Sequence, residues 1–456
     1  MPRNYIKTDA FVASAYPIII KAKPGRLSYL YDTYKPYALN ASLNNTGLKS
    51  LLSPSQQLSV FSTMSSFNYM TGLFSGLDIE NIAHDSNVEA VWPDRVDKRI
   101  LSYPLSQPYP IASSDKTYTA DTHVKNQAIN FTSLQEVAHL IGADTANAEG
   151  YTGNGITAVV SDTGGHRTNP MTPGLIKQTA IPGIYTDENS HGEWTASAIG
   201  GRKSVDYTFS SMNRGKSQVI NIGMAPGVKL IEIKALGFVI GTGSDSMLLK
   251  SIDMALADKC DILSCSWGGT PTHSNPQDSV FYDAMQAIKN SGAIPVIAAG
   301  NSGPDHSTIG SPGDLPNVLT VGSYNAVSNE KSMFGQAGYV SGFSSRGPTL
   351  DGEIKPDTVA PGAIIDGAIG PVLDLSYTHV VHSFQAIAGT SMATPIVAGL
   401  LCLMKQAHKK LLGKNLAEDE VKTMLSELGH EKSVDDGWGM LSWDMYKHWL
   451  STQYSI

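Results

Sequence analysis

The chain has 456 residues, of which 41% are hydrophobic, and this is enough to build a large buried core, so disorder of the whole molecule is excluded. Only 16% of residues are charged, well under the roughly 25% of an average soluble domain. The net charge of -8 argues against a nucleic-acid partner, and no apolar run reaches the length of a membrane span, the longest patches being short ones such as Leu400 to Met404. A surface poor in charge and rich in Ser, Thr, Asn, Gln and Gly suits an extracellular protein.

The N-terminal stretch begins Met1-Pro2-Arg3-Asn4-Tyr5 and carries no apolar segment of signal-peptide type. Residues 1–105 read as a small α+β unit. Pro17 to Lys23 and Phe67 to Leu73 are predicted strands, Asp78 is the expected N-cap of a helix running through Ala83, and Val88 to Trp92 alternates as a strand does. Residues 106–129 are rich in Pro, Ser, Thr and Tyr without a period, which is a linker signature. Three sequons, at Asn40, Asn44 and Asn130, matter only in a compartment that glycosylates.

From residue 130 to 456 the pattern changes. Apolar runs at Gly155 to Ser161, Val228 to Ala235, Asp261 to Ser266, Ala293 to Ala298 and Asn317 to Ser323 read as strands. Between them, 245–258 and 278–289 show apolar residues at helical spacing. Strands alternating with helices predict an α/β domain with a mostly parallel sheet covered on both faces. In such sheets the reactive crevice lies beyond the carboxyl ends of the strands, so polar residues that end a strand are the first candidates for chemistry. Cys260, Cys265 and Cys402 are too few for a disulfide framework, although Cys260 and Cys265 are close enough in sequence to pair if geometry allows.

Four segments carry the chemistry. Asp162 ends the run Val159-Val160-Ser161, His191 opens the helical segment His191-Gly192-Glu193-Trp194, and Ser391 opens another at Gly389-Thr390-Ser391-Met392-Ala393-Thr394-Pro395, with Pro395 expected in its first turn. Asn301 follows the strand ending Ala298-Ala299-Gly300. A serine hydroxyl is a weak nucleophile at neutral pH; it needs an adjacent base, and the base needs an acceptor to orient it. Asp162, His191 and Ser391 supply those roles, and Asn301 supplies an amide donor for a developing oxyanion. Each segment alone has an ordinary alternative as a turn or a cap. A nucleotide-binding reading fails, because neither G-x-G-x-x-G nor a P-loop follows the first strand.

In order along the chain, Asp-Thr-Gly, His-Gly, Ala-Ala-Gly-Asn and Gly-Thr-Ser-Met-Ala-Thr-Pro resemble the subtilisin-like serine peptidases, the subtilases. Phe343 to Pro348, Lys355 to Gly362 and Gly310 to Gly313 are similar to that family as well. The resemblance covers roughly residues 130–445. It implies a three-layer subtilisin-like domain and a serine endopeptidase in which Asp162, His191 and Ser391 form the triad and Asn301 the oxyanion donor. It implies protein or peptide substrates bound as an added strand between Ser266-Trp267-Gly268 and Gly241-Thr242-Gly243, with Ala298-Ala299-Gly300 on the other pocket wall and Trp267 altering its shape. It implies that residues 1–105 are a propeptide, an intramolecular inhibitor and folding aid, processed between about 99 and 128. The chemistry needs no cofactor. Calcium is compatible with the family, but no residues are assigned to it, since 202–222 replaces a loop that often binds it and holds only Asp206 as a carboxylate. Glu193, where the family commonly has Thr, would raise the pKa of His191 if its charge lies close, and would not if its side chain points away. The competing reading is a catalytically silent binding protein on the same fold.

Overall fold

The structure, a computed structural model, describes residues 15–38, 61–104, 131–166, 169–183, 186–206, 219–237, 241–326, 336–373 and 380–455. The whole of the expected linker 106–129, the three sequon asparagines and much of the 202–222 loop lie outside the described residues.

The N-terminal body is a four-stranded antiparallel sheet in the spatial order Ser62–Met64, Tyr69–Ser75, Ala15–Ala22, Val88–Pro93. Alternation along the Ala15–Ala22 strand sorts its side chains: Ile18 and Ile20 join Leu30, Phe74, Ile79 and Ile82 under the helices Leu27–Tyr34 and Gly76–His84. Ile19 points the other way and packs with Tyr69 and Trp92 against the second body. The helix over 76–84 is capped by Ser75, whose Oγ accepts from Asp78 N at 3.2 Å. The cap expected at Asp78 thus lies three residues upstream, and Asp78 sits in the first turn, where its charge favours the helix dipole.

The second body is built on seven parallel strands in the order Thr358–Pro361, Leu319–Tyr324, Ile294–Ala298, Ile262–Cys265, Thr157–Asp162, Lys229–Lys234, Ile176–Thr179. Successive residues of the central strand face opposite layers, so Ala158, Val159 and Val160 are all apolar. Ala158 and Val160 pack under the helices His191–Gly200 and Thr390–Leu412, and Val159 packs under Asp245–Ala257 and Tyr282–Asn290. The chain order reverses about the Thr157–Asp162 strand, whose neighbours are Lys229–Lys234 on one side and Ile262–Cys265 on the other. That reversal opens a crevice at its carboxyl end, where Asp162 stands. A long hairpin, Ile365–Leu373 with Val380–Ala388, leads directly into the helix that carries Ser391.

Pro395 falls in the second turn of that helix, not the first. It has no N–H for the Ser391 carbonyl. The orphaned carbonyl accepts instead from Ser266 Oγ at 2.9 Å, which ties the serine's helix to the cleft wall. The three cysteines are free and buried.

The two bodies meet over a wide face. Trp92 Nε1 donates to Asp278 O at 3.0 Å, Tyr69 Oη to Asp283 at 3.1 Å, and Lys21 pairs with Asp283 at 2.6 Å. Asp94 accepts from the backbone N and the Oγ of Ser246, at 2.9 and 2.6 Å, in the buried first turn of the Asp245–Ala257 helix. Past Asp94 the chain leaves its own sheet and enters the crevice of the other body.

Candidate active site

Residues Lys98–Ile100 form the middle strand of a three-stranded sheet whose outer members are Thr242–Gly243 and Trp267–Gly268, both antiparallel to it. The two segments named from sequence as cleft walls therefore flank an extended peptide on both edges, and the peptide is the chain's own. Gly268 pairs with Arg99, Gly243 with Lys98, and Gly241 O accepts from Ile100 N at 3.0 Å. Beyond the centre of the crevice, Tyr103–Pro104 pairs antiparallel with Ile387 and Ala388. The chain thus threads the site from end to end.

At the centre, Leu101 N donates to Ser266 O at 3.3 Å and to Ser391 Oγ at 3.0 Å. Leu101 O accepts from the Ser391 backbone N–H at 3.1 Å. Ser391 is the second residue of its helix, so this amide belongs to the positive end of the helix dipole. Gly389, just ahead of it, has no room for a side chain: a Cβ there would stand 2.2 Å from Leu101 O.

His191 and Asp162 come together from different elements, the start of a helix and the end of a strand. His191 Nδ1 lies 2.7 Å from Asp162 Oδ1, both side chains being buried. Thr163 N donates to the same carboxylate at 2.7 Å, and Thr163 Oγ1 accepts from Gly192 N at 2.8 Å, which locks the turn after the strand to the His191 helix. His191 Nε2 is buried with no hydrogen-bond partner. The Ser391 hydroxyl donates instead to Ser266 O at 2.8 Å. Asn301 Oδ1 accepts from Thr390 N and Thr390 Oγ1, each at 2.9 Å, so the amide is held by its acceptor end. Ala298, Ala299 and Gly300 lead into Asn301 as a buried strand and turn, and Gly300 N donates to Thr390 Oγ1 at 3.3 Å.

The sequence left the direction of Glu193 open and placed Trp267 on the pocket wall. Glu193 turns away from the imidazole: its carboxyl accepts from His166 N and Thr172 Oγ1 on the opposite side of the helix. Burial pushes it up to about 7, with neighbouring Asp187 adding to the effect. Trp267 contributes only backbone to the cleft; its indole is wholly buried, donates to Ser161 O at 3.0 Å and packs on Phe281. Sequence reasoning did not anticipate the buried carboxyls behind the pair. Glu232, on the strand beside Asp162, is raised well above the usual range by burial and by the charges of Asp162 and Asp187. Its place in an apolar run, Leu230-Ile231-Glu232-Ile233, was the available signal. No group of three or more metal-ligating side chains is poised for an ion among the described residues.

An extended peptide clamped between two strands, with its Leu101 held by the hydroxyl and the backbone N–H of Ser391 at a helix N-terminus, defines the class: an α/β protein that engages polypeptide by strand addition. A family model described as the Subtilase family matches residues 154–439, and the chain belongs to that family. It is 31% identical over 305 residues to serine protease AprX of Bacillus subtilis, covering 64% of each chain. It is 29% identical over 273 residues to subtilisin E of Bacillus subtilis, covering 59% of this chain and 60% of that one. Pyrolysin of Pyrococcus furiosus is 30% identical over 257 residues, 49% of this chain and 18% of that protein. In each case the chain spans less than two thirds of the relative's own length. Its fold is similar to the crystal structure of fervidolysin from Fervidobacterium pennivorans, with a TM-score of 0.64 at 17% identity, over 95% of this chain and 61% of that one.

Proposed function

We infer that the chain is a serine endopeptidase made as a zymogen, and that its first substrate is its own Leu101–Ser102 peptide bond. One observation carries the reading: the Leu101 carbonyl oxygen accepts the Ser391 backbone N–H at 3.1 Å while the serine's own hydroxyl lies against the same residue. Family membership and the relatives' names, serine protease AprX and subtilisin E, support it.

In this reading Ser391 Oγ leaves the Ser266 carbonyl, turns toward His191 Nε2 and attacks the Leu101 carbonyl carbon. The imidazole takes the hydroxyl proton. Asp162 accepts from Nδ1–H, which fixes the tautomer and stabilises the imidazolium. The oxyanion is held by the Ser391 N–H and by Asn301 Nδ2. Collapse of the tetrahedral intermediate passes the proton to the Ser102 amine, and water then releases Leu101 as a carboxylate. No cofactor enters these steps. Residues up to Leu101 act afterwards as an inhibitor that leaves its tail in the cleft, and other extended polypeptides take the same place once it departs. Action outside the cell belongs to this reading and is supported by the sparse charge of the chain; among the described residues no helix is long and apolar enough to cross a membrane.

The test is intact-mass analysis of purified protein. The wild-type chain yields a product starting at Ser102, and a fluorophosphonate probe labels Ser391 in it. Ser391→Ala stays whole. Cutting of the pure alanine variant at the same bond would refute the assignment.

A further inference from the structure

Lys98 is a buried lysine in a place that its own body does not explain. Its side chain is 4% exposed, whereas the next residue, Arg99, is exposed, as strand alternation between the two cleft walls requires. The stem enters a depression formed by the second body. Phe281 stands beneath it, with the ammonium 5.7 Å from the ring centre. Gly269 leaves the opening: a Cβ there would meet Lys98 Cδ at 2.9 Å and Nζ at 3.3 Å. The far wall is Asp245, whose Oδ1 lies 3.4 Å from Lys98 Nζ. Asp97, the residue just before the strand, holds the ammonium at 2.7 Å.

Asp97 belongs to the N-terminal body and leaves with it; Asp245 does not. Asp245 is the first residue of the Asp245–Ala257 helix, but the helix is capped by Ser244, whose side chain accepts from Met247 N. Asp245 Oδ1 is buried and makes no hydrogen bond. An acceptor kept out of water without a donor is costly, and a carboxylate more so. The cation at 3.4 Å is what the position is built to receive. Helix capping alone would not call for a carboxylate aimed into the cleft.

We propose that Asp245 is a specificity residue which selects a lysine or arginine as the fourth residue before the cut, Lys98 being the self-presented example. This rests on the peptidase reading and on the register that sets Leu101 over Ser391. The pleat turns the fourth residue of any peptide bound in this register toward the same depression. There the apolar stem lies over Phe281 and Val280 and the charged end meets Asp245, an arrangement suited to an amphipathic side chain.

The experiment uses the full chain after self-processing and four acetylated tetrapeptide nitroanilides, X-Arg-Ile-Leu, with X as lysine, norleucine, alanine or glutamate. A desolvated ion pair of this kind is expected to favour lysine over norleucine by about tenfold to a hundredfold in kcat/KM, with glutamate the poorest. Asp245→Asn should bring the lysine-to-norleucine ratio close to one. Norleucine cleaved as fast as lysine by the wild-type enzyme overturns the proposal while leaving the peptidase reading intact, and this comparison does not depend on the variant folding. A ratio unchanged in Asp245→Asn overturns the role of that residue. Failure to cleave any of the four, in protein that has not cut itself either, removes the underlying reading and this one with it.

Discussion

Replacing Gly389 by alanine tests the register on which the functional reading depends. A Cβ at that position would lie 2.2 Å from Leu101 O, 2.8 Å from Ser102 Cα and 3.1 Å from Leu101 C. A carbon and a carbonyl oxygen settle at about 3.3 Å or more, so the carbonyl must retreat by about 1 Å. That is enough to stretch its bond to the Ser391 amide beyond hydrogen-bonding range. A 1 Å misplacement of reacting atoms costs on the order of 10²-fold, and loss of an oxyanion donor about 10²–10³. Self-processing of Gly389→Ala should therefore slow by about two to three orders of magnitude. The assay is a time course of intact mass, followed by identification of the new N-terminus, with a thermal melt run alongside to establish that the variant is folded. A variant that melts like the wild type and is cut between Leu101 and Ser102 at the wild-type rate would refute the geometry, because the added methyl group would then have nothing to collide with.

Asp162→Asn should leave the protein folded and lower kcat by about 10⁴, since the amide cannot hold the imidazole in the accepting tautomer; kinetics on a chromogenic peptide decide it. Asn301→Ala should lower kcat by about 10²–10³ with little change in KM, a magnitude taken from subtilisin. Burial pushes Asp94 up to about 7 where it docks on Ser246. A carboxyl whose docked pKa is raised is held best when protonated, so docking weakens as pH rises from about 4 to 7 and levels off above. The cut N-terminal body should then dissociate from the other body faster at pH 8 than at pH 5, and Asp94→Asn should flatten that dependence in a size-exclusion or inhibition assay. Asp357 is fully buried, which alone would raise its pKa, but Lys355, Lys422 and Lys432 outweigh burial and hold it well below the usual carboxylate range. Its folded pKa being depressed, its contribution to stability is lost as pH falls through the acid range. Asp357→Asn leaves the buried Lys355 with only Glu353, at 3.8 Å, as a countercharge and should cost about 3–5 kcal/mol, read as a lowered denaturation midpoint.

The sheet was legible in the sequence because its strands are buried on both faces: Ala158, Val159 and Val160 must all be apolar, and such runs need no partner to be recognised. Asp162, His191, Asn301 and Ser391 drew attention in the sequence because Asp162 and Asn301 follow apolar strands while His191 and Ser391 open helical segments. The path of residues 98–104 was not legible. Lys98-Arg99-Ile100 has no pattern of its own, and it becomes a strand only because Gly243 and Gly268 offer unpaired backbone on either side. Trp267 misled for a similar reason: a two-residue strand gives no alternation from which to tell that the indole turns inward to Ser161. Glu193 sits two places after His191 on one helix, a spacing that puts side chains on different faces, and Thr172 and His166 claim its carboxyl there.

If the chain cuts itself as proposed, the threading of residues 98–104 through the crevice also dictates the kinetics of that cut. Bond and nucleophile are parts of one folded molecule, so the effective molarity of the first substrate is set by geometry and not by how much protein is present. That first cut would then be a unimolecular, once-only event whose half-time stays constant on dilution, whereas cleavage of another chain would be bimolecular and slow with it.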